Sequence, residues 1–204
     1  METLQLDKTR FHFIWRGAVV GVIAGFVISL FRLCIENMLK IVKIVFSAGF
    51  EKPIWMLLLF LFCIVGGLVK AKFIKEEPNI SGSGIPQVEG QLEGELELSW
   101  KSIFFRKWIG GVLSIGSGLF LGREGPSIQL GAMVGQAVSR GLFRGRTEEK
   151  YLLTCGASAG LAAAFHAPLA GVMFSLEEVH KSFSASVLVS AMTSALTADF
   201  LCSV

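Results

Sequence analysis

The chain has 204 residues, 52% of them hydrophobic and 17% charged, with a net charge of +3 and a mean hydropathy of +0.63. Soluble domains carry about a quarter charged residues, so this composition excludes an ordinary soluble fold. The small positive charge is spread over several segments, which excludes the basic patch of a nucleic-acid-binding domain. The apolar residues gather into long runs, such as 54–69 and 151–176, that contain no Asp, Glu, Lys or Arg. A full membrane crossing needs about 20 such residues. These runs predict an all-α polytopic membrane protein, with residues 1–204 forming a single membrane-embedded region.

In chain order, the polar first ten residues and the long apolar run after them do not resemble a cleavable signal peptide. A first helix is expected from about Phe11. Gly17, Gly21 and Gly25 form a small-residue stripe suited to close helix contact. Beyond Arg32 the segment turns amphipathic, with Glu36, Lys40 and Lys43, which predicts one long tilted helix leaving the lipid. Pro53 opens a second helix ending near Val69. Lys70, Lys72 and Lys75 then mark a cytoplasmic loop by the positive-inside rule, which puts the N-terminus on the same side. Residues 78–98 are rich in Gly and Pro and break the apolar pattern.

A third helix is expected over 104–121, followed by Gly122–Pro126 and a helix to about Arg140. After a polar loop at 141–150, a helix from about Thr147 to Phe165 meets a break at His166-Ala167-Pro168. A further helix runs to Lys181, and a last apolar segment covers 184–204. Several of these runs are too short to cross a bilayer. Short, Gly/Pro-broken pairs are how transporters build discontinuous helices that meet near the midplane. The four cysteines, Cys34, Cys63, Cys155 and Cys202, lie far apart in apolar segments, which predicts buried thiols and neither a metal site nor a disulfide framework.

Two segments share one design. Gly82-Ser83-Gly84-Ile85-Pro86 and Gly122-Arg123-Glu124-Gly125-Pro126 each combine a glycine-rich turn with a proline in the first helical turn. A helix beginning there directs unpaired N–H groups and the positive end of its dipole at one spot, and at membrane depth those donors need a partner. Two such helix starts converging would hold a small anion, with the Ser83 hydroxyl as a further donor. Glu124 is an ionisable residue between apolar helices, which points to function. While charged it competes with the anion; once protonated it withdraws, which makes a gate. The alternative role is an ion pair with Arg123, disfavoured because neighbouring side chains on an extended turn point apart. His166, at a helix break, is expected to be satisfied by backbone groups. The Gly131–Gly135 and Gly156–Gly160 spacings are expected to mark helix packing.

The segments GSGIPQ (82–87), GREGPS (122–127) and GASAGLAAAFHAPLAGVMFSLEEV (156–179) resemble the CLC family of chloride channels and chloride/proton antiporters, and the resemblance extends over essentially the whole chain. It implies the N-terminal half of an inverted-repeat fold of tilted and partial helices, embedded in the plasma membrane of a prokaryote and working as a homodimer. The C-terminal half, with a further helix start and a pore-lining tyrosine, has no counterpart in these residues. By resemblance Ser83 is the central-site serine, and the helix ends at Gly84–Ile85 and Gly125–Pro126 face chloride. Glu124 is the gating glutamate and Glu178 the internal proton-transfer glutamate of the antiporter branch. The transported species are chloride and protons, with no cofactor. Gln87 stands where many members carry Glu and is assigned local capping. Three alternatives remain open: a passive channel, a fragment without transport of its own, and an intramembrane hydrolase using Glu177, Glu178 and His180. The last is disfavoured because LEEVH lacks the HExxH spacing.

Overall fold

The computed structural model describes residues 2–143, 146–181 and 183–203, and contains no strand among them. Among the described residues eight α-helices follow one another: α1 (Glu2–Glu51), α2 (Pro53–Glu76), α3 (Ile85–Glu93), α4 (Trp100–Gly116), α5 (Glu124–Val138), α6 (Arg146–Phe165), α7 (Pro168–Phe174) and α8 (Ala185–Ser203). Residues 144–145 of the expected polar loop lie outside the described residues.

The helix starts follow from backbone chemistry. Proline occupies one of the first two positions of α2, α3 and α7, where its missing N–H costs no hydrogen bond. The helix ends depart from expectation. α1 begins at Glu2 rather than Phe11, because nothing in Thr3–Arg10 breaks a helix. α2 continues past Val69 to Glu76, since Lys-Ala-Lys-Phe-Ile-Lys contains good helix formers and no breaker precedes Pro78. α4 lies earlier than 104–121. It begins after Ser99 and stops at Gly116, and Gly118 then takes a left-handed φ of 90°. The apolar Leu119–Leu121 that follows is not helical. α5 and α7 both widen into π-helical turns, at Ser139–Phe143 and Ser175–His180, where regular α-helix was expected to continue.

Three helices among the described residues are long and apolar enough to cross a membrane: Phe11–Glu51 within α1, then α2, and α8. A helix of 41 residues is about 60 Å long, twice the roughly 30 Å hydrocarbon core, so α1 either tilts strongly or extends beyond the lipid. At about 1.5 Å per residue α3, α5 and α7 fall short of a crossing, as expected for discontinuous helices.

Glycine sets how closely the inner helices approach. A Cβ on Gly131 would collide with the Gly156 carbonyl, one on Gly135 with the Leu152 carbonyl and one on Gly160 with the Ser127 carbonyl, so α5 and α6 pack backbone to backbone. Gly17, Gly21 and Gly25 bring α1 equally close to Ser190, Ser194 and Ala198 on α8. α5 is consequently buried along most of its length, including Ser127, Gln129 and Gln136. Gln136 Nε2 donates to the Leu98 carbonyl (3.1 Å) and to Glu149 Oε1 (2.8 Å), which satisfies its amide N–H groups inside the bundle. α2 has no buried residue although it is apolar all round, the pattern of a lipid-facing helix.

Candidate anion site

The 3-10 turn Pro78–Ile80 and the loop to Gly84 enter α3 through two left-handed glycines, Gly82 (φ 66°) and Gly84 (φ 95°). Only glycine takes such angles without a steric cost. At Gly84 a Cβ would also run into the Gln129 side chain, whose Nε2 donates to the Asn79 carbonyl at 2.9 Å. α5 thereby clamps the first turn from behind.

The two glycine-proline turns touch. A Cβ placed on Gly125 would lie 2.7 Å from both Cβ and the carbonyl oxygen of Ser83. Beside this contact opens a cavity of about 550 Å³ lined by Gly82, Ser83, Gly122, Glu124, Gly125 and Pro126, together with Lys70, Arg106, Lys107 and Ser114. The Ser83 hydroxyl accepts the Ile85 N–H at 3.3 Å, which leaves its own O–H to donate elsewhere. The Glu124 carboxylate folds back over Gly122, within 2.8 Å of where a Cβ there would sit. Among the described residues it has no ion-pair or hydrogen-bond partner. α5 starts at Glu124 without a side-chain cap, so its first N–H groups have no intrahelical acceptor.

The other expected site residues stand behind the cavity. Gly84 is buried against Gln129, and Ile85 and Pro86 form the first turn of α3. Arg123 does not line the cavity. It occupies the N-cap of α5 with right-handed helical angles rather than an extended conformation, and its Nη1 lies 3.9 Å from Glu36 Oε1 on α1. Arg123 and Glu124 do point apart, as expected. Gln87 Nε2 donates to the Ser81 carbonyl at 3.3 Å, a local contact across the turn. Glu178 is exposed near the end of the π-helical turn and is not brought to the Glu124 cavity; Glu177 lines a separate cleft with Lys181 and Phe183.

One contributor lies outside the two motifs. Lys107 on α4 is buried, and its ammonium donates to the carbonyls of Ile80 and Gly82, both at 2.9 Å. It ties α4 to the first turn and keeps a third N–H at the cavity it lines. The signal was present in the sequence, because a lysine within an apolar helix is a functional candidate for the same reason as Glu124.

The geometry is that of the start of α5 and the turn leading into α3 meeting beside a cavity rimmed by a hydroxyl, a carboxylate and ammonium groups inside a bundle of membrane helices. The profile of the voltage gated chloride channel family matches residues 63–204, and the chain belongs to that family, the CLC family. The H(+)/Cl(-) exchange transporter ClcA of Citrobacter koseri is 39% identical over 187 residues, which cover 88% of this chain and 39% of that protein. A slow cyanobacterial Cl-/H+ antiporter superposes with a TM-score of 0.85 at 36% identity over 93% of this chain and 46% of its own. A eukaryotic CLC transporter gives 0.77 at 25% identity, with 93% and 37% covered. The chain thus spans about two fifths of the length of the curated relatives it matches.

Proposed function

We propose that this chain supplies the anion site and the proton-operated gate of a chloride/proton antiporter. The observation that carries this reading is the Gly125–Ser83 contact, which sets both helix starts beside one cavity shared by Ser83 and Glu124. Chloride lodges there against the Ser83 O–H and the free N–H groups at the start of α5, favoured by the helix dipole and by the cationic wall of Lys70, Arg106 and Lys107. A charged Glu124 carboxylate competes for the same donors. Proton uptake removes its charge and lets the anion pass, which links the movement of the two ions. Glu178, exposed near the far end of the α7 segment, receives the proton on the other face of the membrane. The transported species are chloride and protons, no cofactor takes part, and the working unit is a homodimer completed by the portion that the relatives carry beyond this length. The names of the relatives, exchange transporters and antiporters, favour exchange over passive conduction.

The test uses liposomes holding the chain together with that remaining portion. An outward chloride gradient should drive proton uptake. Glu178→Gln should abolish proton uptake while chloride still moves, and Glu124→Gln should remove the dependence of chloride flux on pH. Intact coupling in Glu178→Gln would overturn the antiport assignment, and an unchanged pH profile in Glu124→Gln would remove the gate.

A further inference from the structure

The break between α6 and α7 is made by an unusual residue. The Ala167 N–H bonds back to the Ala162 carbonyl at 3.4 Å, and His166 takes the left-handed position between them at φ 55°. Helices that end this way usually place glycine there, since a Cβ crowds the following carbonyl. The histidine is held by side chains rather than by the backbone groups expected from the sequence. Its Nε2 lies 2.8 Å from Arg32 Nη1 on α1, and its Nδ1 lies 3.1 Å from Asp199 Oδ1 on α8.

These contacts define the proton's place. Arginine donates and never accepts, so Nε2 is the acceptor, the ring is neutral, and the Nδ1–H donates to Asp199. The Nε of Arg32 donates in turn to Glu36 Oε1 at 2.8 Å, and the same carboxylate oxygen faces Arg123 Nη1 at 3.9 Å. A chain of polar contacts, Asp199–His166–Arg32–Glu36–Arg123, therefore runs from α8 through the α6–α7 break and α1 to the residue before Glu124.

We propose that His166 is a positioning residue for the Gly122–Pro126 turn, holding it through Arg32 and Glu36 only while the imidazole is neutral. A proton on Nε2 sets donor against donor, so the Arg32 contact opens and the imidazolium turns to Asp199. Arg32 then reorients on Glu36, and the hold of Glu36 on Arg123 changes with it. The charged groups around the ring are Arg32 and Glu36 on α1, Asp199 on α8 and Arg123 in the turn, with Lys40 acting on Glu36; the adjoining ends of α6 and α7 carry none. The consequence for transport rests on the gate assigned to Glu124, whereas the contact chain itself does not.

The experiment is ¹⁵N nuclear magnetic resonance on the chain in lipid nanodiscs, in a Glu124→Gln background that removes the gate carboxyl's own titration. At high pH the His166 ring, identified by its loss in His166→Gln, should carry its proton on Nδ1. Lowering the pH should protonate Nε2 and shift the Gly122 amide with the same midpoint. Glutamine offers Arg32 an acceptor and Asp199 a donor but takes no proton, so the Gly122 amide should stay still in His166→Gln. A proton on Nε2 at high pH or a Gly122 shift that persists in His166→Gln would each overturn the proposal. Failure of the anion site would show separately, as amides of Gly122 and Gly125 that ignore added chloride.

Discussion

Gly125 has helical backbone angles, so alanine there is allowed conformationally and the effect of the substitution is purely steric. The added Cβ would sit 2.7 Å from Ser83 Cβ, its carbonyl oxygen being equally near, and backbone does not yield as the tip of a long side chain does. Gly125→Ala should push the two turns apart, destabilising the protein by about 1–3 kcal/mol and weakening chloride binding. Thermal unfolding in detergent, with and without chloride, checks both effects; an unchanged chloride-induced rise in Tm would show that the contact does not shape the site. Ser83, Glu124 and Gly125 were individually legible in the sequence because their chemistry is out of place in apolar surroundings. That Gly125 rests on Ser83 was not, since no local pattern relates residues so far apart. Gln129 and Lys107 act by reaching backbone carbonyls of the first turn, and their targets depend on where α4 and α5 lie.

At the scale of the helices, glycine has two different roles that sequence spacing does not separate. Gly131 on α5 sits against the backbone of Gly156 on α6, whereas Gly66 on α2 has nothing within 4 Å of where a Cβ would stand. Gly131→Ala should therefore force α5 from α6 and destabilise by about 1–3 kcal/mol or more. Gly66→Ala should be neutral or stabilising by up to about 1 kcal/mol, because alanine favours the helix and meets no obstacle. Unfolding of the two variants in SDS titrations distinguishes them; equal destabilisation would contradict the packing described. The four-residue spacings on α1, α5 and α6 correctly marked close contacts, yet the partner of each stripe emerged only from the way the helices cross. The π-helical ends of α5 and α7 were likewise beyond local pattern, because propensity describes α-helix formation and the widening depends on what the last turn packs against.

Across the whole molecule, α2 presents an apolar surface on every side from residue 53 to 69, and reaches the polar cavity only through Lys70 and Ile74 near its end. Lipid is the surrounding that satisfies such a helix. Cys63 is exposed on α2 rather than buried as its sequence context predicted, because among the described residues no other helix covers that face. It should resist a charged maleimide in bilayers, react with an apolar one, and react with both after unfolding; rapid labelling by the charged reagent in intact bilayers would contradict the lipid-facing placement. The sequence by itself determined the membrane class, the family and where most helices begin. Hydropathy, the fixed φ of proline and the freedom of glycine act within a few residues of chain. Tertiary structure alone decided that the two turns meet, that Arg123 turns to Glu36, and that His166 bridges Arg32 and Asp199. Those outcomes depend on the lengths and crossings of helices distant in sequence, and so on packing, which sums over the chain and is written in no single segment of it.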